Sequence, residues 1–151
     1  MSLRPLRILL IVAMGLVCGM AWNTWGGSGL PLRANAFLRE GAAEIDASVA
    51  RARFDHGALF LDARPLANYE MSHIPGALPL PEDDFDRHFA TLEPRLRSSF
   101  DTVIYCAGYG CEASHIVAAK LHDRGIQVEV LNEGWPAWTE AGYPVKEGPQ
   151  P

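Results

Sequence analysis

Two cysteines stand close together in "VIYCAGYGCEAS", Val103 to Ser114: an apolar, strand-like run ends at Cys106, two glycines and Cys111 follow, and then a helix begins. A thiol at a strand exit, beside the first turn of a helix, lies where loop amides and the positive end of the helix dipole converge. That setting favours an anionic sulfur over the neutral thiol, whose free pKa is about 8.5. Gly108 and Gly110 permit the turns such a loop requires. Cys106 therefore reads as a nucleophile, and the plainer reading is a small buried residue closing a strand. Cys111 is either a small filler in a tight loop or a resolving thiol, which attacks what Cys106 carries or closes a disulfide with it. Spacing alone does not decide whether the two sulfurs meet.

The elements that must position this loop are legible in the hydrophobic periodicity. Asp46 can cap a short helix on which Val49, Ala50, Arg53 and Phe54 stack, and "DHG" ends it before the strand "ALFLD", Ala58 to Asp62. Phe85, Phe89 and Leu92 recur at helical spacing within "PEDDFDRHFATL". "TVIYC" is a short buried strand. After the cysteine loop, Ala113, Ile116, Val117 and Leu121 share one helical face, with a stop at Gly125. "QVEVL", Gln127 to Leu131, is a third strand, and "WPAWTEAGYP" a short helix with Pro136 near its first turn and Gly142 after its end. Strands alternating with helices predict a small α/β domain, a parallel sheet with helices on both faces.

The 151 residues, 48% of them hydrophobic, suffice for one domain with its own core. With 18 acidic residues against 13 basic, the net charge is -5, and Arg4 and Arg7 lie ahead of the first apolar run, so the remainder is more acidic still. Nucleic acid is excluded as a partner on this ground. Ile8 to Trp22, "ILLIVAMGLVCGMAW", has no charged residue and follows the basic head "MSLRPLR". As a helix these residues span about 22 Å against a hydrocarbon core of ~30 Å. Extension from Pro5 to Trp25 would reach across, with Trp22 and Trp25 at the interface. The expectation is an N-terminal hydrophobic helix retained as a membrane anchor, with a cleaved signal peptide as the alternative. Either way the basic head faces the cytoplasm and the domain lies on the extracytoplasmic, periplasmic side. The expected divisions are residues 1–25 for anchor or signal, 26–36 for a flexible linker ("GGSGLPLRANA"), 37–147 for the domain and 148–151 for a tail.

From about Ala43 to Val145 the chain resembles a rhodanese domain. The resemblance is carried, in order, by "LDAR" (Leu61 to Arg64), "YEMSHIPGALPLP" (Tyr69 to Pro81), the loop "YCAGYGC" and "LNEGWPAWTEAGYPV" (Leu131 to Val145). It implies a sulfurtransferase in which Cys106 accepts a sulfane sulfur as a persulfide and hands it on. It also implies that Cys106, Ala107, Gly108, Tyr109, Gly110 and Cys111, with Glu112 at the helix start, form the substrate cradle. The implied partners are a small sulfane-sulfur donor and a thiol or other nucleophilic acceptor, and no cofactor.

The loop departs from the commoner family pattern. Ala107 stands where Arg often follows the cysteine, and Cys111 where Arg or Thr is usual, which weakens the case for the thiosulfate dianion as donor. Glu112 suits the helix dipole but repels an anion, and in its place a phosphatase loop carries Arg. Asp62 and Arg64, at the end of a central strand, read as supporting residues, foremost an ion pair that organises the loops. His73 reads as fixing the turn before Pro75, His115 as a surface residue, and Trp135 and Trp138 as packing. The histidines and cysteines lack metal-ligand spacing. Two other functions stay open beside sulfur transfer: a thiol/disulfide redox module using Cys106 and Cys111, and a non-catalytic binding domain.

Overall fold

In the first turn after Asp46, the carboxylate of that residue accepts the amides of Ser48 and Val49 at 2.8 and 2.9 Å and starts helix α1, Ala47–Asp55. The computed structural model describes residues 13–15, 42–109 and 111–151. The chain divides into two units, Met1–Arg39 and Glu40–Pro151. In the first, residues 13–15 are helical. The expected anchor and linker otherwise lie outside the described residues, and among those described no helix is long and apolar enough to cross a membrane.

The second unit is a five-stranded parallel sheet interleaved with helices. Its strands are β1 (Glu44–Ile45), β2 (Leu59–Asp62), β3 (Leu78–Pro79), β4 (Thr102–Tyr105) and β5 (Glu129–Leu131). After α1 come helices α2 (Leu66–Met71), α3 (Phe85–Ser98), α4 (Ala113–His122) and α5 (Gly134–Glu140). The sheet order is β1-β5-β4-β2-β3, every pair parallel, with Leu61 beside Ile104 and Ile104 beside Val130. The periodicity named three of these strands. It missed β1 and β3, each two residues long, and the short α2, because such elements contain no full period to read.

Alternation along the strands divides the core in two. Leu61, Ile104 and Val130 point to one face, where they meet Phe85, Phe89 and Leu96 of α3 and Val117, Ala118 and Leu121 of α4. Phe60, Val103, Tyr105 and Leu131 point to the other, against Ala50 and Trp138. Burial on both faces accounts for strands that are continuous apolar runs. Phe54 packs edge-on to Trp138 at 5.5 Å, whereas Val49, grouped with it by spacing, is 39% exposed. Neighbouring strands β2 and β4 are followed by connections that leave in opposite directions, outward to β3 and back to β5. In open α/β sheets such a switch point at the carboxyl ends is where ligands bind, and Asp62 and Cys106 stand there.

Candidate functional site

Cys106 follows the last residue of β4 and is 3% exposed. Its carbonyl accepts the amide of Trp135 at 2.8 Å, so the loop after β5 is tied to the loop after β4 at the cysteine itself. Two glycines permit this approach. Gly134, at φ +57, sits so close that a Cβ would collide with the carbonyl of Cys106, and a Cβ on Gly108, at φ +134, would come within 2.9 Å of the Pro136 ring. The loop then turns back through a bond from the Cys111 amide to the Gly108 carbonyl at 3.0 Å, and α4 begins one residue after Glu112.

Cys106 and Cys111 are joined by a disulfide, their Cα atoms 6.3 Å apart, within the range a disulfide spans. The sulfurs that spacing left unassigned thus lie in bonding reach. A cleft of about 300 Å³ opens over them. Cys106, Gly108, Tyr109, Cys111 and Glu112 line one side, continued by Ser114 and His115 of α4. Glu44 of β1 and the run from Val130 to Gly134 line the other. Three glutamates, Glu44, Glu112 and Glu133, are among the lining residues, and His115, the one histidine among the described lining residues, lies 3.5 Å from Glu44. Tyr109 is 77% exposed, and its hydrogen bond to Glu133 holds its phenol above the ordinary value.

Of the residues singled out from the sequence, Cys106, Gly108, Tyr109, Cys111 and Glu112 come together at this cleft. Ala107 is exposed on the same loop and is not part of the lining, and Gly110 lies outside the described residues. Asp62, Arg64 and His73 stand behind the site. The fully buried Asp62 accepts Arg64 Nε at 3.0 Å and Nη2 at 2.6 Å, and Nη2 also donates to the Ser72 carbonyl at 2.7 Å. Burial acts to lower the Arg64 pKa, but the bond and charge of Asp62 outweigh it and hold the guanidinium above its ordinary value. That guanidinium lies 4.3 Å over the ring of Trp135, whose amide holds Cys106. Arg64 thus packs on the residue whose amide bonds the Cys106 carbonyl. His73 is fully buried, stacked on Tyr69 at 4.0 Å between ring centres, with Nδ1 2.9 Å from the Tyr69 carbonyl. Its backbone pairs with Lys146 in both directions at 2.8 Å, which fixes the segment before Pro75. His115 is at the surface and Trp138 in the core, as read from the sequence; Trp135 is half-buried.

The sequence reading missed Glu44, Asn132 and Glu133 as lining residues. The available signal was the rule that sites gather at the carboxyl ends of parallel strands, applied to β5 as well as β4. Applied there, it selects Asn132 and Glu133 directly.

The parallel sheet, with two cysteines in the loop at its switch point, defines a small α/β domain of known plan. The profile of the rhodanese-like domain matches residues 46–141, and the chain belongs to this family. The HTH-type transcriptional regulator Rv0324 of Mycobacterium tuberculosis is 34% identical over 88 residues, which are 58% of this chain and 37% of that protein. The chain thus matches only about a third of that relative's length. The rhodanese-like domain of the Alr3790 protein from Anabaena superposes with a TM-score of 0.59 at 28% identity, covering 70% of this chain and 80% of that one. Thiosulfate sulfurtransferase from Pseudomonas aeruginosa does so with a TM-score of 0.55 at 26% identity, covering 72% of this chain and 21% of that one.

Proposed function

We propose that the chain is a sulfurtransferase that carries a sulfane sulfur on Cys106 and releases it through Cys111. The family supports sulfur-transfer chemistry in general. The single observation that carries the finer reading is the bond between Cys106 and Cys111 at the floor of the cleft.

In the first step the Cys106 thiolate attacks the outer sulfur of a small persulfide donor. A new S–S bond forms to Cys106, the donor's own S–S bond breaks, and the donor leaves as a thiolate. In the second, the Cys111 thiolate attacks the inner sulfur of that persulfide. The Cys106–Cys111 bond forms and hydrosulfide leaves with the electron pair of the broken bond. Two cysteines are oxidised as one sulfane sulfur is reduced. An external thiol acceptor can instead take the outer sulfur before Cys111 closes the ring. A dithiol reductant reopens the disulfide and returns both thiols for another cycle.

The reading places the domain outside the cytoplasm. The basic head and the uncharged run after it support this, as does the persistence of disulfides in oxidising compartments. Cell fractionation, with protease added from outside intact spheroplasts, tests it. A chain recovered in the soluble cytoplasmic fraction would sink it.

Intact-mass measurement of the reduced chain after anaerobic exposure to a persulfide tests the chemistry. Cys106→Ser should abolish the gain of one sulfur atom, and Cys111→Ala should let that adduct accumulate and persist. The disulfide also favours a second reading, a redox module that exchanges electrons without carrying sulfur. Loss of two hydrogen atoms from the parent, with no sulfur adduct on either the parent or Cys111→Ala, would select it.

A further inference from the structure

Three glutamates line the cleft that holds Cys106. Glu44 comes from β1, Glu112 from the start of α4 and Glu133 from the turn after β5, so three separate parts of the chain put the same charge at one opening. No lysine or arginine is among the described residues lining the cleft, and His115 has Glu44 beside it at 3.5 Å. The buried cation behind the loop, Arg64, is held by Asp62 and does not line the cleft.

Glu133 is the telling member. It has φ +62 and is the one residue other than glycine in the left-handed region among those described. An L side chain there costs about 1–2 kcal/mol relative to a relaxed backbone. Glycine would fit the turn without that cost, yet a glutamate stands there, in the cleft wall. A strained residue at the mouth of a site points to a role in what enters it. The volume, about 300 Å³, suits a small thiol compound rather than a protein segment.

We propose that Glu44, Glu112 and Glu133 select the donor by charge, and that the donor is an aminothiol persulfide, whose ammonium group sits against the carboxylates while its outer sulfur meets Cys106. An anionic donor such as thiosulfate enters against the field of the rim. This rests on the reading of Cys106 as the sulfur carrier.

The test compares the persulfides of cysteamine, 2-mercaptoethanol and 3-mercaptopropionate, which are cationic, neutral and anionic at the far end. Each is offered anaerobically to the reduced full-length chain, and the loading of Cys106 is followed by intact mass, counting persulfide and disulfide together. Each rate is divided by that donor's rate with a free small thiol, so that leaving-group differences cancel. At low ionic strength the normalised rate should be about tenfold higher for the cationic donor than for the anionic one, with the neutral donor between. The ratio should fall towards one in about 1 M salt, where the screening length is about 3 Å. It should fall likewise in the E44Q/E112Q/E133Q variant. Equal rates or the reverse order at low salt would overturn charge selection and leave sulfur carriage standing. Failure of all three donors to load the parent chain would overturn the sulfur-carrier reading on which the proposal rests.

Discussion

The amide of Trp135 donates to the carbonyl oxygen of Cys106 at 2.8 Å, and this bond joins the two loops that build the site. It forms only because Gly134 has no side chain: a Cβ there would strike the carbonyl it must pass. Gly134→Ala should therefore cost about 2–3 kcal/mol in chemical unfolding and slow the loading of Cys106 at the same time. A stable, fully active variant would show that the loops do not depend on this contact.

Glu133→Gly should have the opposite effect on stability. It releases the left-handed strain and forfeits some of the gain to the greater freedom of glycine in the unfolded chain. The expected net stabilisation is about 0.5–1 kcal/mol, read from the denaturation midpoint. Preference among charged donors should weaken in the same variant. A gain in stability together with a loss of discrimination is the signature of strain kept for function.

Arg64→Met leaves the fully buried Asp62 carboxylate without its guanidinium and should destabilise the domain by about 3–5 kcal/mol. Arg64→Lys should recover only part of this, since an ammonium cannot reproduce the two-pronged bond or lie flat on Trp135. Adding Asp62→Asn to Arg64→Met removes the orphaned charge and should restore part of the loss. Additive effects of the two substitutions would mean that the pair is not coupled.

Burial, and then the charge of Asp62, push the Tyr69 hydroxyl up to about 12, and the same two causes raise that of Tyr105. In an unfolded chain both titrate near ~10. Above that pH the unfolded chain gives up protons that the folded chain keeps, so stability falls as pH rises, beginning near ~10. Urea midpoints measured from pH 9 to 11 should decline, and the decline should be shallower in Tyr69→Phe, with Tyr105 accounting for the remainder. A slope unchanged by the substitution would show that Tyr69 does not contribute.

The sequence by itself determined the parallel α/β plan and the place of Cys106 in it. Phe60 and Leu61, Val103 and Ile104, and Val130 and Leu131 are apolar neighbours whose side chains must go to opposite faces of a strand, which requires cover on both sides. Asp46 and Gly125 marked helix ends through capping and turn chemistry that act within a few residues. Local information of this kind is present wherever an element is long enough to repeat. It is insufficient for β1 and β3, which exist because β5 and β2 offer them a partner edge.

Tertiary structure decided what surrounds the sulfur beyond its own loop. Whether Cys106 and Cys111 meet depends on how the loop folds back through the Gly108 carbonyl, and that depends on Pro136 and Gly134 pressing on it from another strand's loop. Glu44, Glu112 and Glu133 are scattered charges along the chain and become one rim only after β1 has paired with β5 and β5 with β4. Charge acts through space over several ångströms regardless of chain order, so a field made by three distant segments has no signature in any one of them.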